Sequence, residues 1–386
     1  MFSTQPSPEK AILVAVKNDY VRQDRTAEDS LAELSALVQS AGGEVVGKLV
    51  QRARRPFPAT YVGKGKLEEL RALKDKYGYD TVIVDDELEP KQQENLEDFL
   101  ESKVIDRVSL ILAIFARRAR THEGKLQVEL AQYEYNLPRL NGKWSHLERL
   151  GGGIGTRGPG ESQLETDKRI MRQKIGRLKT QIDDVRKQRE LYRQRRRRSG
   201  IPVVALVGYT NTGKSTLLNS LSRANVLAKN ELFSTLDPTT RRLVLADGRT
   251  ILLTDTVGFI RKLPTNLIAA FRATLEEIEE ADLLIHVVDL TLHNAADQCD
   301  TVEDILNQIG LGDKPRITAL NKIDQLAGGR EDWDVETGLP AATAQQLSPS
   351  PDSVLISASK GWGLDKLRIM IGEKLGKVQA SQVIAP

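Results

Sequence analysis

The stretch Gly208-Tyr209-Thr210-Asn211-Thr212-Gly213-Lys214-Ser215 constrains this chain more than any other. It fits G-x-x-x-x-G-K-[ST], a loop that cradles phosphate. The apolar run 202–207 before it has the length of a buried strand, and 216–221 after it reads as an amphipathic helix. In that order, backbone N–H groups curl around phosphate oxygens while the helix points its positive end at them. Lys214 would neutralise the β- and γ-phosphates, and the Ser215 hydroxyl would ligate Mg²⁺. The competing reading, a chance match in a glycine-rich turn, explains neither flank.

Four further elements follow in the order a GTPase requires. Phe233-Ser234-Thr235-Leu236-Asp237 lies in a polar loop, where a threonine would ligate Mg²⁺ and bond the γ-phosphate, making the loop a nucleotide-state switch. Asp255-Thr256-Val257-Gly258 ends a strand. Asp255 would hold Mg²⁺ through water, and the Gly258 N–H would meet the γ-phosphate. Asn321-Lys322-Ile323-Asp324 follows the strand 316–320, and Asp324 would accept from guanine N1–H and the exocyclic amine. Adenine lacks both donors and would leave that carboxylate unpaired, at a cost of a few kcal/mol. Ser357-Ala358-Ser359 follows the strand 354–356, and the Ala358 N–H would bond guanine O6. Five loops, each at the C-terminal end of a strand, predict GTP/GDP binding with Lys214 and Thr235 as catalytic groups and Ser215 and Thr235 as metal ligands.

Two positions bear on rate. Phe259 stands where many GTPases place a glutamine that orients the attacking water, so intrinsic hydrolysis is expected to be slow and to need outside help. Asn211 either holds K⁺ beside the phosphates, as in GTPases with similar loops, or hydrogen-bonds within its own loop.

The chain's 386 residues accommodate two or three domains. Residues 1–120 alternate strand and helix patterns and predict an independent α/β domain with a parallel sheet. Gly63-Lys64-Gly65-Lys66 within it suits a structural or RNA-backbone role better than ATP binding. Residues 121–199 predict a helical hairpin. Leu126, Leu130, Tyr133 and Leu137 form one stripe, and Met171, Ile175, Leu178, Ile182 and Val185 form another, so the two helices would zip as an antiparallel coiled coil. Ordinary amphipathic helices packed on the domains are the plainer alternative. Between the stripes, Arg139, Lys143, Trp144, His146, Arg149 and Arg157 surround a glycine-rich run, 151–160, at the tip. Basic residues interleaved with an aromatic suit unpaired RNA, and a flexible linker is the plainer reading. Residues 200–378 form the P-loop GTPase domain, with a tail at 379–386. Segment 168–198 holds fourteen Lys/Arg against three Asp/Glu in a chain of net charge +3, which points to a localised polyanion contact. One cysteine, Cys299, excludes a disulfide framework. No apolar run approaches the ~20 residues of a membrane span, and the start lacks a secretory pattern, so a cytoplasmic protein is expected.

With Tyr61-Val62-Gly63-Lys64-Gly65-Lys66, the stretch Gly151 to Glu161 (GGGIGTRGPGE), GYTNTGKS at 208–215, FSTLDPTT at 233–240 and DTVGFI at 255–260, the sequence resembles the HflX family of translation-factor-related GTPases. GTRGPGE and DTVGFI carry the likeness, because most P-loop GTPases lack both. The resemblance implies a monomer that binds the large ribosomal subunit, is stimulated by it, and helps dissociate or rescue stalled ribosomes. It also implies that the N-terminal domain contacts ribosomal RNA. Some relatives carry a further C-terminal domain, which is not expected here, since only 378–386 follow the last helix. Ribosome assembly is a neighbouring role. The alternatives are a non-ribosomal regulatory GTPase that recruits protein partners, and RNA remodelling by the N-terminal domain.

Overall fold

Two runs of apolar strands build two parallel sheets. The computed structural model describes residues 8–17, 27–140, 159–198, 200–222, 232–233, 235–262, 272–326, 333–334, 339–340 and 351–384. The chain divides into two units, Met1–Arg117 with Lys125–Asp184, and Arg118–Gly124 with Val185–Pro386.

In the first unit, β1 (Lys10–Lys17), β2 (Glu44–Arg52), β3 (Thr81–Val84) and β4 (Lys103–Asp106) lie in the order β2-β1-β3-β4, all parallel. Helices α1 (Ala27–Ala41), α2 (Lys64–Tyr77) and α3 (Pro90–Leu100) make the crossovers, and α4 (Arg107–Arg118) follows β4. Local chemistry sets their ends. Gly78, at φ 59°, stops α2, while Pro90 and a Glu89/Gln92 capping box start α3. Ile12, Val14, Leu70, Val82, Val84 and Val104 are buried in the core. At the C-terminal end of the sheet Arg107 is buried, bonded to Asp85 at 2.8 Å and paired with Glu33.

Two helices contribute residues to both units, α5 (His122–Asn136) and α6 (Pro159–Arg198). Arg189 pairs with Glu123 near the start of α5 and Lys179 with Glu134 near its end, so the helices run antiparallel, as expected. Burial follows the second apolar stripe. Leu178 is buried and Met171, Ile175, Ile182 and Val185 are half-buried between exposed neighbours. On α5, Leu126 is buried and Leu130 and Tyr133 half-buried, as is Leu137 just past its end. The calls on Lys143, Trp144, His146, Arg149, Arg157 and the run 151–158 lie outside the described residues, as do the side chains of Arg195–Arg198.

The second unit holds a six-stranded sheet in the order β12-β9-β8-β5-β7-β6. Its strands are β5 (Val203–Val207), β6 (Thr239–Val244), β7 (Thr250–Asp255), β8 (Leu283–Asp289), β9 (Arg316–Asn321) and β12 (Ser353–Leu355). Only β6, at the edge, is antiparallel to its neighbour. Helices α7 (Lys214–Ser222), α8 (Arg272–Glu279), α9 (Ala295–Gln308), α10 (Ile323–Leu326) and α11 (Leu364–Ile384) complete the described elements. Val204, Leu206, Ile285, Val287, Ile317 and Leu367 are buried in its core. An amphipathic helix is expected over 264–281; α8 is the part of it that is described. In the polar insert, expected as a mobile loop over 325–352, β10 (Trp333–Asp334) pairs with β11 (Leu339–Pro340). Among the described residues no helix is long and apolar enough to cross a membrane.

Candidate functional site

Strand β5 sits between β7 and β8, where the chain direction of the sheet connections diverges, and ligands of open parallel sheets bind at the carboxyl ends there. The phosphate loop leaves β5 at this point. Gly208 (φ 151°) and Gly213 (φ 98°) need glycine twice over, because a Cβ would strike the Val287 carbonyl at the first and the Asn321 amide at the second. Of six described non-glycine residues with positive φ, three belong to the predicted motifs: Asn211 (62°), Phe233 (55°) and Lys322 (66°). Such conformations concentrate where function over-determines the backbone.

The loop is closed upon itself. Lys214 Nζ donates to the carbonyls of Tyr209 (2.6 Å) and Gly208 (3.2 Å). Burial pushes this ammonium down to about 8, against the opposing pull of the Asp255 carboxylate. Phe259, a buried side chain, is tied by its backbone to the same loop. Its N–H donates to Gly208 O (3.0 Å) and its carbonyl accepts from Thr210 N (2.8 Å). The Arg261 N–H then donates to Tyr209 Oη at 3.0 Å. The cavity between Asn211, Lys214, Ser215, Thr235 and Gly258 measures about 40 Å³. Lys214 and the loop carbonyls of Gly208 and Tyr209 thus satisfy one another here.

Three oxygens converge beside the loop. Ser215 Oγ donates to Asp255 Oδ2 (2.6 Å), Thr235 Oγ1 donates to the same oxygen (2.9 Å), and the two hydroxyls are 2.8 Å apart. Asp255 is fully buried, and burial raises its pKa against Lys214, Ser215 and Thr235, which favour the charged form. Its Oδ1 is buried without a hydrogen bond of good geometry among the described residues. No cluster of three or more His, Cys, Asp or Glu that would hold a metal occurs among the described residues. One carboxylate with two hydroxyls is instead the sparse, oxygen-only set that suits Mg²⁺, which takes its remaining ligands from phosphates and water.

The base-recognition motifs meet across the sheet. Asn321, almost fully buried, donates through Nδ2 to Thr212 O (2.8 Å) and accepts at Oδ1 from Ala358 N (2.9 Å). Ala358 N–H, expected to meet guanine O6, is therefore spent on Asn321 in this state. Ser357 Oγ donates to Asp324 Oδ1 (2.7 Å) and Ser359 Oγ to Oδ2 (3.4 Å), which holds the carboxylate in place. The side chains of Phe233, Leu236, Val257 and Ile323 are buried. Asp237 departs from its group: its carboxylate accepts from the N–H groups of Arg120 (2.8 Å) and Thr121 (3.0 Å). Ser234 lies outside the described residues.

Sequence reasoning missed Asp289, the last residue of β8. It holds Lys322 at 2.6 Å and accepts from Thr291 N (3.0 Å), steadying the loop that carries Asp324. The signal was available, since a carboxylate ending the largely apolar LLIHVVD strand is out of place in a core unless it is paired.

The chain is similar to known proteins over most of its length. Family models described as GTP-binding GTPase N-terminal, GTP-binding GTPase Middle Region and 50S ribosome-binding GTPase match residues 28–116, 118–196 and 203–322. The GTPase HflX of Caldanaerobacter subterraneus subsp. tengcongensis is 48% identical over 371 residues, 96% of this chain and 81% of that protein. The Escherichia coli K12 GTPase HflX is 44% identical over 375 residues, 97% of this chain and 85% of its own length. A GTP-binding protein of Sulfolobus solfataricus, solved with GDP, is 27% identical and covers 96% of this chain and 99% of its own, with a TM-score of 0.47.

Proposed function

The chain belongs to the HflX family of GTPases, and from that premise we propose that it hydrolyses GTP under the control of the large ribosomal subunit and dissociates or rescues stalled ribosomes. GTP binding and hydrolysis are properties of the family; the ribosomal trigger and the task are the parts proposed. The observation that carries the reading is the tie between Phe259 and the phosphate loop. The position after Gly258 offers a buried ring instead of a group that aligns water, and its backbone closes the loop through Gly208 and Thr210. Catalysis then waits on an outside surface that releases Phe259 and orders the water.

Bound Mg²⁺, held by Ser215 and Thr235 with Asp255 behind, would spread the charge of the β- and γ-phosphates. Lys214 supplies the fixed positive charge, Gly258 the N–H toward the γ-phosphate, and Asp324 the choice of guanine. Residues 1–120 and the basic arm within 121–199 serve as the RNA-facing parts of this reading, and Asn211, exposed at the loop's mouth, as the residue beside which K⁺ would sit.

Single-turnover hydrolysis with and without purified large subunits tests the proposal. A rate that rises by orders of magnitude with subunits supports it, whereas a fast rate without them would refute it. Co-sedimentation with large subunits should prefer a non-hydrolysable GTP analogue over GDP and weaken steeply with salt. A regulator of protein partners alone would show neither. Equal rates in K⁺ and Na⁺ would remove the monovalent-cation role of Asn211.

A further inference from the structure

Thr235 and Asp237 sit two residues apart and serve different ends. Thr235 reaches Ser215 and Asp255 at the metal corner. Asp237 turns away to the segment that begins α5. Its Oδ2 accepts from Arg120 N and Thr121 N, its Oδ1 accepts from the Thr121 hydroxyl, and that hydroxyl in turn accepts from Gly124 N at 3.0 Å. All of these residues lie within the second unit. One carboxylate thus gathers the N–H groups just ahead of a helix, where a negative charge also faces the positive end of the helix dipole.

The fit is tight on the far side. A Cβ built on Gly124 would collide with Asp237 Oδ1 and touch Thr121 Oγ1. Gly124 lies in the first turn of α5 with an exposed polar residue on its C-terminal side, and helix propensity alone would favour alanine over glycine there. The space it leaves is filled by the carboxylate. The neighbouring Glu123 is buried against Arg189 of α6, and Arg189 and Arg186 also approach Glu276 of α8 at 3.7 and 3.2 Å. Helix α8 follows the Asp255–Gly258 motif in the chain. Both segments that would read the γ-phosphate therefore end on one joint, made of residues 120–124 and the turn of α6 around Arg189.

We infer that Asp237 is a positioning residue that reports the nucleotide state held at Thr235 to the start of α5. The inference rests on the reading of Thr235 as the switch ligand. With Thr235 fixed by Mg²⁺ and the γ-phosphate, Asp237 is held on Arg120 and Thr121. With GDP, Thr235 loses that anchor, and Asp237 loses the purchase that keeps its carboxylate on the two N–H groups. By reciprocity, a well-seated Asp237 favours GTP over GDP at the distant site.

The test uses the full chain. Affinities for a fluorescent non-hydrolysable GTP analogue and for fluorescent GDP are measured on the native protein and on Thr235→Ala, Asp237→Ala and Gly124→Ala, with hydrogen exchange of the peptide spanning 118–124 in each nucleotide state. Asp237→Ala is expected to cut the preference for the GTP analogue by about tenfold, within the usual range of a coupling between two sites, while GDP affinity stays within about twofold. It also abolishes the nucleotide dependence of exchange at 118–124. Gly124→Ala reproduces both effects although it stands away from the nucleotide, and the double variant adds nothing to either single one. A purely structural role for Gly124 predicts the opposite, a slightly stabilised helix and unchanged discrimination, and that result overturns the inference. If Thr235→Ala lowers the preference and the other two variants do not, the inference fails alone. If Thr235→Ala leaves the preference intact, the inference falls together with the switch reading.

Discussion

Replacing Asn321 by alanine tests whether this side chain is the pin that joins the phosphate loop to the base-binding loop. The amide satisfies two buried backbone groups at once, the carbonyl of Thr212 at 2.8 Å and the N–H of Ala358 at 2.9 Å. Alanine orphans both, and water has poor access because Asn321 is 1% exposed. An unsatisfied buried polar group costs about 1–3 kcal/mol, so the pair costs roughly 2–6 kcal/mol. For a unit of this size 1 kcal/mol shifts Tm by about 2–4 °C, and the expected fall is roughly 4–24 °C. Scanning calorimetry of the nucleotide-free chain reads it in the transition of the second unit. Asn321→Asp sharpens the argument. It keeps an acceptor for Ala358 N but sets a carboxylate oxygen against the Thr212 carbonyl, two acceptors face to face, so it should fall at least as far as alanine. Because Thr212 belongs to the phosphate loop and Ala358 to the base loop, GTP and GDP should weaken together, unlike the selective loss expected at Asp237. A Tm within about 2 °C of the native protein, with GDP affinity unchanged, would refute the pin.

Three further changes probe separate parts of the molecule. Arg107→Met strands the buried carboxylate of Asp85, and takes the cation from the half-buried Glu33, and should lower the stability of the first unit by about 3–5 kcal/mol in urea unfolding while leaving GDP affinity intact. His286 is buried in β8, and desolvation first, then the charges of Arg316 and Lys214, push it down to about 4. The Glu303 carboxylate 3.9 Å from its Nδ1 is already paired with Arg316. Since the unfolded chain takes up this proton from about pH 6.5 and the folded chain only near 4, stability is lost as pH falls through that window, by up to about 3 kcal/mol. His286→Gln should flatten the acid limb of a Tm-against-pH curve between pH 6 and 4, and an unchanged limb would contradict the assignment. Asp324→Asn replaces one of the two carboxylate acceptors expected to meet guanine N1–H and the exocyclic amine by a donating NH₂, and should weaken GTP and GDP by about 2–3 kcal/mol, a factor of 30 to 150, in fluorescence titration. A base with an oxo group at the amine position should recover part of that loss.

What the sequence disclosed follows a physical division. The convergence of side chains at the strand ends was legible because a nucleotide site would demand particular groups at fixed offsets: an ammonium at Lys214, hydroxyls at Ser215 and Thr235, carboxylates at Asp255 and Asp324. The sheets were legible because fully buried strands such as Thr81–Val84 leave no room for polar interruption. The links between these parts are made with backbone donors and acceptors, which every residue owns and no motif records. Asp237 meets the N–H groups of Arg120 and Thr121 across more than a hundred residues, and nothing about an arginine or a threonine announces that its N–H will be claimed. Arg107 was hidden for a related reason. At the head of the apolar helix VSLILAIF it reads as a solvated turn, and only the placement of β3 and α1 brings Asp85 and Glu33 around it. The same division predicts which substitutions a chain of this kind tolerates. Arg120, whose contribution to Asp237 is an N–H, should accept most residues with little change in nucleotide discrimination, and proline, which removes that donor, should behave like Asp237→Ala. Gly124 should accept none, because what it contributes is the room that its missing Cβ leaves for the carboxylate.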